Sequence, residues 1–192
     1  MVQQNKLIII TAPSGAGKTS ITRFLLAEYP ELAFSVSATT RAQRPHEISG
    51  KDYYFISLDD FHQKIQHDEF VEWEMVYEGK YYGTLKSELG RIWQENRCPV
   101  LDIDVNGAIH VIQQYSGNTL SIFIEPPSID ALEQRLRSRG TETEETLRDR
   151  VSKASYELSF KHHFSTIIVN DDLEKACLQA ARVIREFIGF HA

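Results

Sequence analysis

The sequence is poor in cysteine, in positive charge and in long apolar runs, and each shortage excludes a class of protein. Its two cysteines, Cys98 and Cys177, stand far apart and match no metal or redox spacing. They read as reduced, buried thiols, which suits a reducing cytosol and a cytoplasmic protein. The formal net charge of −6 argues against a surface devoted to nucleic-acid backbone. No stretch approaches the length of a membrane span, and the N-terminal apolar run is too short for a signal-peptide core. The seven histidines are scattered without ligand spacing, and the neighbours His162 and His163 face different directions on a helical pattern. Internal repeats, low-complexity segments and flexible linkers are lacking too. What remains reads as a soluble, globular chain of 192 residues, long enough for one well-formed core with embellishments or for two small domains.

The chain is organised around residues 12–19, Ala-Pro-Ser-Gly-Ala-Gly-Lys-Thr. They follow the apolar run at 7–10 and precede a helical pattern carried by Ile21, Leu25 and Leu26. Strand, glycine-rich loop and helix in that order make a phosphate site: small residues let backbone N–H groups turn inward, and the helix N-terminus adds positive partial charge. Lys18 would reach the β- and γ-phosphates of a nucleoside triphosphate, and the Thr19 hydroxyl would sit on Mg²⁺. Ala12 stands where the pattern G-x-x-x-x-G-K-[ST] has its first glycine, which alanine tolerates only at negative φ.

Beyond the first helix, residues 33–37 read as a strand leading to a polar loop in which Arg41 and Arg44 form a candidate anion clamp. Solvated surface arginines are the plain alternative. Residues 52–57 are rich in strand formers, and Ser57 reads as the N-cap of a helix bearing Phe61 and Ile65. Residues 70–77 and 80–84 flank a Glu78-Gly79 hairpin turn. On an alternating strand Glu72 reads as solvent-facing. A helix around 89–93 precedes a hydrophobic strand at 99–105, on which Asp102 and Asp104 point to one side and would orient Mg²⁺-bound water or a substrate.

A second buried strand at 120–124 stops at Pro126-Pro127, and Ser128 caps a helix that carries Arg135, Arg137 and Arg139 and ends at Gly140. Arg135 and Arg139 share a face and would meet Arg150 of the following helix, a cluster that is costly without an anion. Residues 166–169 form a last strand and 170–172 a polar turn. A helix over 173–188 closes the chain, with Leu173, Cys177, Ala180, Ala181, Ile184 and Phe187 on its apolar face.

Together the segments at 13–18, 35–37, 39–41, 44–45, 50–53, 70–73, 81–83, 101–104, 126–128, 139–142 and 169–172 resemble the guanylate kinase family along nearly the whole chain. The resemblance implies an α/β, P-loop NTPase-type three-layer fold with a five-stranded parallel core sheet, in one domain over about 5–188. Its parts would be a core of 1–36, 97–127 and 155–192, a mixed α/β GMP-binding insertion over 37–96, and a mobile helical lid over 128–154. It further implies transfer of the ATP γ-phosphoryl group to GMP and dGMP with Mg²⁺, in guanine nucleotide synthesis and GMP recycling.

By the same resemblance Ser37, Glu72, Thr84 and Asp102 surround the guanine, while Arg41, Arg44, Tyr53 and Tyr82 hold the GMP phosphate. ATP would lie against Pro13, Ser14, Gly15, Ala16, Gly17, Lys18, Thr19 and Ser20. Arg135, Arg139 and Arg150 would serve its polyphosphate chain, with Asn170 and Asp171 near the adenine or ribose. Lys18, Arg44, Arg139 and Arg150 would act in transfer, and Thr19 on the metal. Neither nucleic acid nor membrane is an expected partner, and monomer and homodimer both stay open. Two rivals remain: a catalytically inactive guanylate-kinase-like interaction module, which the free-standing chain and its full set of cationic residues count against, and a kinase for another nucleoside monophosphate.

Overall fold

The computed structural model describes residues 5–138 and 143–189. In chain order its elements are β1 (Leu7–Thr11), α1 (Lys18–Glu28), β2 (Leu32–Phe34), β3 (Ala38–Thr39), β4 (Tyr54–Phe55), α2 (Leu58–Gln66), β5 (Phe70–Tyr77), β6 (Lys80–Leu85) and α3 (Lys86–Gln94). They continue with β7 (Cys98–Asp102), α4 (Val105–Gln114), β8 (Thr119–Glu125), α5 (Ile129–Arg137), α6 (Glu144–Ser159), β9 (Thr166–Val169) and α7 (Leu173–Ile188). Five strands pair in parallel in the order β2-β7-β1-β8-β9. β1 lies at the centre, and all five of its residues are buried. Its apolar run at 7–10 is what a parallel strand covered on both faces requires. Each isoleucine shielded there contributes ~1.5–3 kcal/mol through apolar burial.

Ile8 and Ile10 point to one face of the sheet, packed with Ile21 and Leu25 of α1 and Cys177, Ala180 and Ile184 of α7. Leu7 and Ile9 point to the other, packed with Leu89 of α3 and Val105, Ala108 and Val111 of α4. This gives the three layers expected. A second sheet, ordered β4-β3-β6-β5, has its own cluster of Ala38, Phe61, Phe70 and Leu85. Helices α5 and α6 pack through Leu132, Leu136, Leu147 and Ala154. The expected lid boundary at 154 falls inside α6, which runs unbroken to Ser159.

Several local expectations change. The strand expected at 33–37 stops at Phe34 in the core sheet, and the second sheet takes up the chain only at Ala38. Ser35 still donates its backbone N–H to Val100 at 2.9 Å, after which the chain leaves the core sheet and re-pairs as β3 with β6. The strand expected at 99–105 ends at Asp102. Asp104 is instead the N-cap of α4, accepting from the Gly107 N–H at 2.9 Å, so strand alternation does not align it with Asp102, although the two do line one cleft. The helix with Arg135 and Arg137 ends at Arg137, capped at its start by Ser128. Arg139 and Gly140 lie outside the described residues. His162 and His163 belong to a 3₁₀ turn, and Leu173 is an exposed first residue of α7 rather than part of its apolar face. Both cysteines are free and buried, and burial pushes the Cys98 thiol up to about 12. Among the described residues no helix is long and apolar enough to cross a membrane.

Candidate active site

The carboxyl ends of β1 and β7 meet the loop before α1, the place where parallel α/β sheets leave a crevice. Gly15 and Gly17 take φ of +95° and +99°, conformations closed to most side chains, which lets the loop wrap inward. Ala12 is buried in the core and is absent from the positive-φ residues among those described, so the missing first glycine asks nothing unusual of the backbone. A cleft of about 310 Å³ follows this loop, lined by Pro13, Ser14, Gly15, Gly17, Lys18, Thr19 and Ser20. Ala16 is buried beneath it, its N–H donated to Pro13 at 3.0 Å. Asp104 and Glu157 complete the cleft wall.

A larger cleft of about 470 Å³ opens between the two sheets. Ser14, Lys18 and Asp104 line both clefts, so the two are continuous at the lysine. Lys18 forms an ion pair with Asp102, which ends β7. Ser37, Tyr53, Glu72, Tyr82 and Asp102 all face this space. Thr84 is buried behind it and donates its hydroxyl to Glu72 Oε1 at 2.6 Å.

Glu72 reverses the expectation for its strand. It is only 8% exposed, whereas Trp73 and Met75 on the opposite face of β5 are 42% and 53% exposed. Apolar side chains face water and a carboxylate faces inward, an arrangement that costs stability unless the inward face binds something. Burial pushes the Glu72 pKa up to about 7; the Thr84 hydrogen bond lowers it and the Asp104 charge raises it further. Glu74, two residues on, is raised by burial and by a hydrogen bond with Asp104. Space for Glu72 is left by Gly107, where a Cβ would lie 2.8 Å from Glu72 Oε2.

The two loop arginines differ. Arg41 stacks on Tyr53 and Phe55, at 4.9 and 5.5 Å from the ring centres, and donates to both oxygens of Glu47 at 2.7 and 2.6 Å. The Arg44 N–H adds a third bond to that carboxylate at 2.9 Å, and its side chain is exposed. Hydrogen bonds from Arg41 hold the Glu47 pKa down at about 2. A third cleft, of about 260 Å³, is lined by Gly15, Gly17, Ser20, Arg135, Asn170 and Asp171. From α6, Arg150 donates to the Ser14 hydroxyl at 2.8 Å. Arg135 donates to the Asp171 carbonyl at 3.4 Å.

Sequence reasoning missed Glu47, Glu74, Glu157 and the capping role of Asp104. The last had a signal, an aspartate three residues before Gly107 at the start of an apolar helical pattern. Glu47 lies within six residues of both loop arginines and was legible as their local counter-charge, whereas Glu74 and Glu157 meet the site only through tertiary contacts.

The family model for guanylate kinase matches residues 4–187. The chain is 47% identical over 184 residues to a guanylate kinase of Bacteroides fragilis, covering 96% of this chain and 90% of that one. It is also 47% identical over 185 residues to one from Porphyromonas gingivalis, covering 96% and 98%. Among solved structures, a guanylate kinase from Anaplasma phagocytophilum superimposes with a TM-score of 0.77 at 28% identity, covering 98% of this chain and 89% of that one.

Proposed function

The chain belongs to the guanylate kinase family, and from that premise we propose that it transfers the γ-phosphoryl group of ATP to GMP and dGMP, giving ADP and GDP. The observation that carries the reading is the continuity of the phosphate-loop cleft with the inter-sheet cleft at Lys18, with a buried carboxylate at the far side of the latter. In-line transfer needs donor and acceptor phosphates to meet at one cation, and no covalent intermediate on a side chain. The relatives give no support to an inactive interaction module.

In this reading Glu72 accepts from N1–H and the 2-amino group of guanine, and Ser37 donates to O6. Thr84 holds the Glu72 carboxylate, and Asp102 stands between Lys18 and the acceptor. Arg41, Arg44, Tyr53 and Tyr82 hold the GMP phosphate. Residues 13–20 cradle the ATP phosphates, and Asn170 and Asp171 border the adenosine. When these phosphates are bound, Lys18 exchanges its Asp102 partner for their oxygens. Arg135, Arg139 and Arg150 complete the site from the lid over 128–154, which moves against the core of 1–36, 97–127 and 155–192 and the insertion of 37–96. Closure excludes water, and the guanidinium groups then act on charge that shifts during transfer.

Mg²⁺ suits the oxygen donors of this wall, where Thr19, Asp104 and Glu157 line one cleft with the loop. Bound there on Thr19 with ATP, it would neutralise charge on the β- and γ-phosphates. The two buried free thiols fit a cytoplasmic setting, in guanine nucleotide synthesis and GMP recycling. A coupled assay of ADP release over a panel of nucleoside monophosphates tests the assignment: turnover with GMP and dGMP far above AMP and pyrimidine monophosphates is expected, and a folded protein with no GMP-dependent release refutes it.

A further inference from the structure

The chain passes between the core sheet and the insertion twice, outward through residues 35–37 and back where β6 runs directly into α3. Glu88, in the first turn of α3, is 3% exposed and reaches both crossings. Its Oε1 accepts from the backbone N–H of Val36 at 3.1 Å and from Arg91 Nη2 at 2.8 Å. Its Oε2 accepts from the Tyr54 hydroxyl at 3.0 Å and from Arg91 Nε at 3.0 Å. Burial alone would raise the pKa of this carboxyl, yet the bonds from Arg91, Val36 and Tyr54 hold it below its usual range.

None of these partners is a random part of the surface. Val36 precedes Ser37, Tyr54 follows Tyr53, and the Tyr54 N–H donates to the Ser37 carbonyl at 2.9 Å. Ser37 and Tyr53 face the inter-sheet cleft, whereas Glu88 does not line it. A carboxylate is the one side chain of this length that accepts on both arms. Glutamine would turn an N–H₂ group toward either the Val36 N–H or the Tyr54 hydroxyl, and a hydrocarbon would strand the buried Val36 N–H.

We propose that Glu88 is a positioning residue for the acceptor nucleotide: it clasps the outgoing crossing and β4 to the returning helix, and so fixes the spacing of Ser37 and Tyr53 across the GMP pocket. It touches no substrate and acts through Val36 and Tyr54. The phosphate loop lies outside this clasp, so acceptor binding should suffer while donor binding does not.

The inference rests on the acceptor-site assignment above, and the experiment separates the two. Steady-state kinetics with each substrate varied would be run on Glu88→Gln, Tyr54→Phe, the double variant and Glu72→Gln, with thermal midpoints recorded. Glu88→Gln should raise KM for GMP ~10-fold, the loss of one or two charge-assisted hydrogen bonds in position if not in contact, with KM for ATP and kcat nearly unchanged. Tyr54→Phe should raise it less, and the two effects should not add. Equal rises in both KM values, or an unchanged KM for GMP in folded Glu88→Gln, overturn the proposal. If Glu88→Gln fails to fold, Tyr54→Phe decides alone, and an unaltered KM for GMP there overturns it. Loss of GMP use in Glu72→Gln without any effect at Glu88 refutes only the positioning role. Normal GMP use in Glu72→Gln refutes the pocket assignment itself.

Discussion

Asn170 donates its side-chain amide to the carbonyl of Ala16 at 2.7 Å, a bond between residues 154 positions apart that ties the end of β9 to the phosphate loop. The amide also fills the space where a Cβ on Gly17 would lie. Gly17 therefore has two reasons to be glycine, its φ of +99° and this neighbour. Asn170→Ala should leave the buried Ala16 carbonyl without a partner and cost ~1–3 kcal/mol. KM for ATP should rise while KM for GMP holds. Gly17→Ala should be worse on both counts. Urea unfolding and kinetics with ATP varied check this, and normal ATP use in Asn170→Ala would remove the asparagine from any role in shaping the loop.

The raised pKa of Glu72 gives a pH dependence with a definite sign. In the proposed pocket guanine is read by the ionised carboxylate, whose pKa burial pushes up to about 7. Apparent GMP affinity should therefore climb between pH 6 and 8, approaching ~10-fold per unit below the pKa. Because the folded pKa lies above the ordinary 4.5, the folded protein keeps a proton that the unfolded chain has released, and this group's contribution to stability is lost as pH rises through 4.5 to 7. Glu72→Gln should flatten both profiles, cut kcat/KM for GMP and narrow the preference over AMP. A GMP profile that keeps its slope in Glu72→Gln would assign the titration elsewhere.

Gly107 offers a subtler route to the same carboxylate. An added methyl would sit 2.8 Å from Glu72 Oε2, and a flexible side-chain end yields before a helix backbone does. Gly107→Ala should displace Glu72 and raise KM for GMP. Thermal stability should change little or rise slightly, because alanine favours the helix by ~1 kcal/mol. A variant with wild-type GMP kinetics would show that Glu72 has room to spare.

Glu47 occupies one end of the Arg41 fork, bonded to Nη1 and Nη2, while Tyr82, on the side of the inter-sheet cleft, is a further hydrogen-bond partner of the guanidinium. If that side serves the GMP phosphate, Glu47→Gln should raise KM for GMP by ~10-fold through loss of a charge-assisted pair. Arg41→Lys should do the same, since an ammonium has no second edge. A lower KM in Glu47→Gln would mean instead that Glu47 competes with the phosphate.

The arginines assigned to the proposed lid should be felt in turnover. Arg150 already reaches Ser14, and Arg139→Ala and Arg150→Ala are each expected to lower kcat, on the order of 10³-fold, with little change in GMP affinity. Lysine should rescue poorly. Pre-steady-state measurement of the transfer step distinguishes this from slowed product release, and near-normal transfer in both variants would return these residues to the surface.

How much of this was legible depends on how far apart the partners lie. The phosphate loop is contiguous, so the run at 7–10, the glycines and the Lys-Thr pair declare it in the sequence, and β1, the loop and α1 follow as read. The α7 helix likewise announces itself by a strong apolar face. Local rules did less well where the chain changes sheets. Residues 33–37 satisfy strand propensity throughout, yet β2 stops at Phe34, because Ser35 is bonded to Val100 of the core sheet and Ser37 already to Tyr54 of the other. The pattern at 99–105 is apolar and alternating, and only the Asp104 cap to Gly107 shows where strand stops and helix begins. Glu72 is the sharpest case. Alternation along β5 fixes that Glu72 and Trp73 face opposite ways, but it does not say which way is in. That choice was made by the facing sheet, the Thr84 hydroxyl and the bare Cα of Gly107, none of them near in sequence. Covalent neighbours and periodicity thus determined the phosphate loop and the order of elements, because those depend on contacts within a few residues. Burial of carboxylates and the meeting of two clefts at Lys18 belong to the tertiary structure, because desolvation and charge pairing are set by whatever packs across the gap.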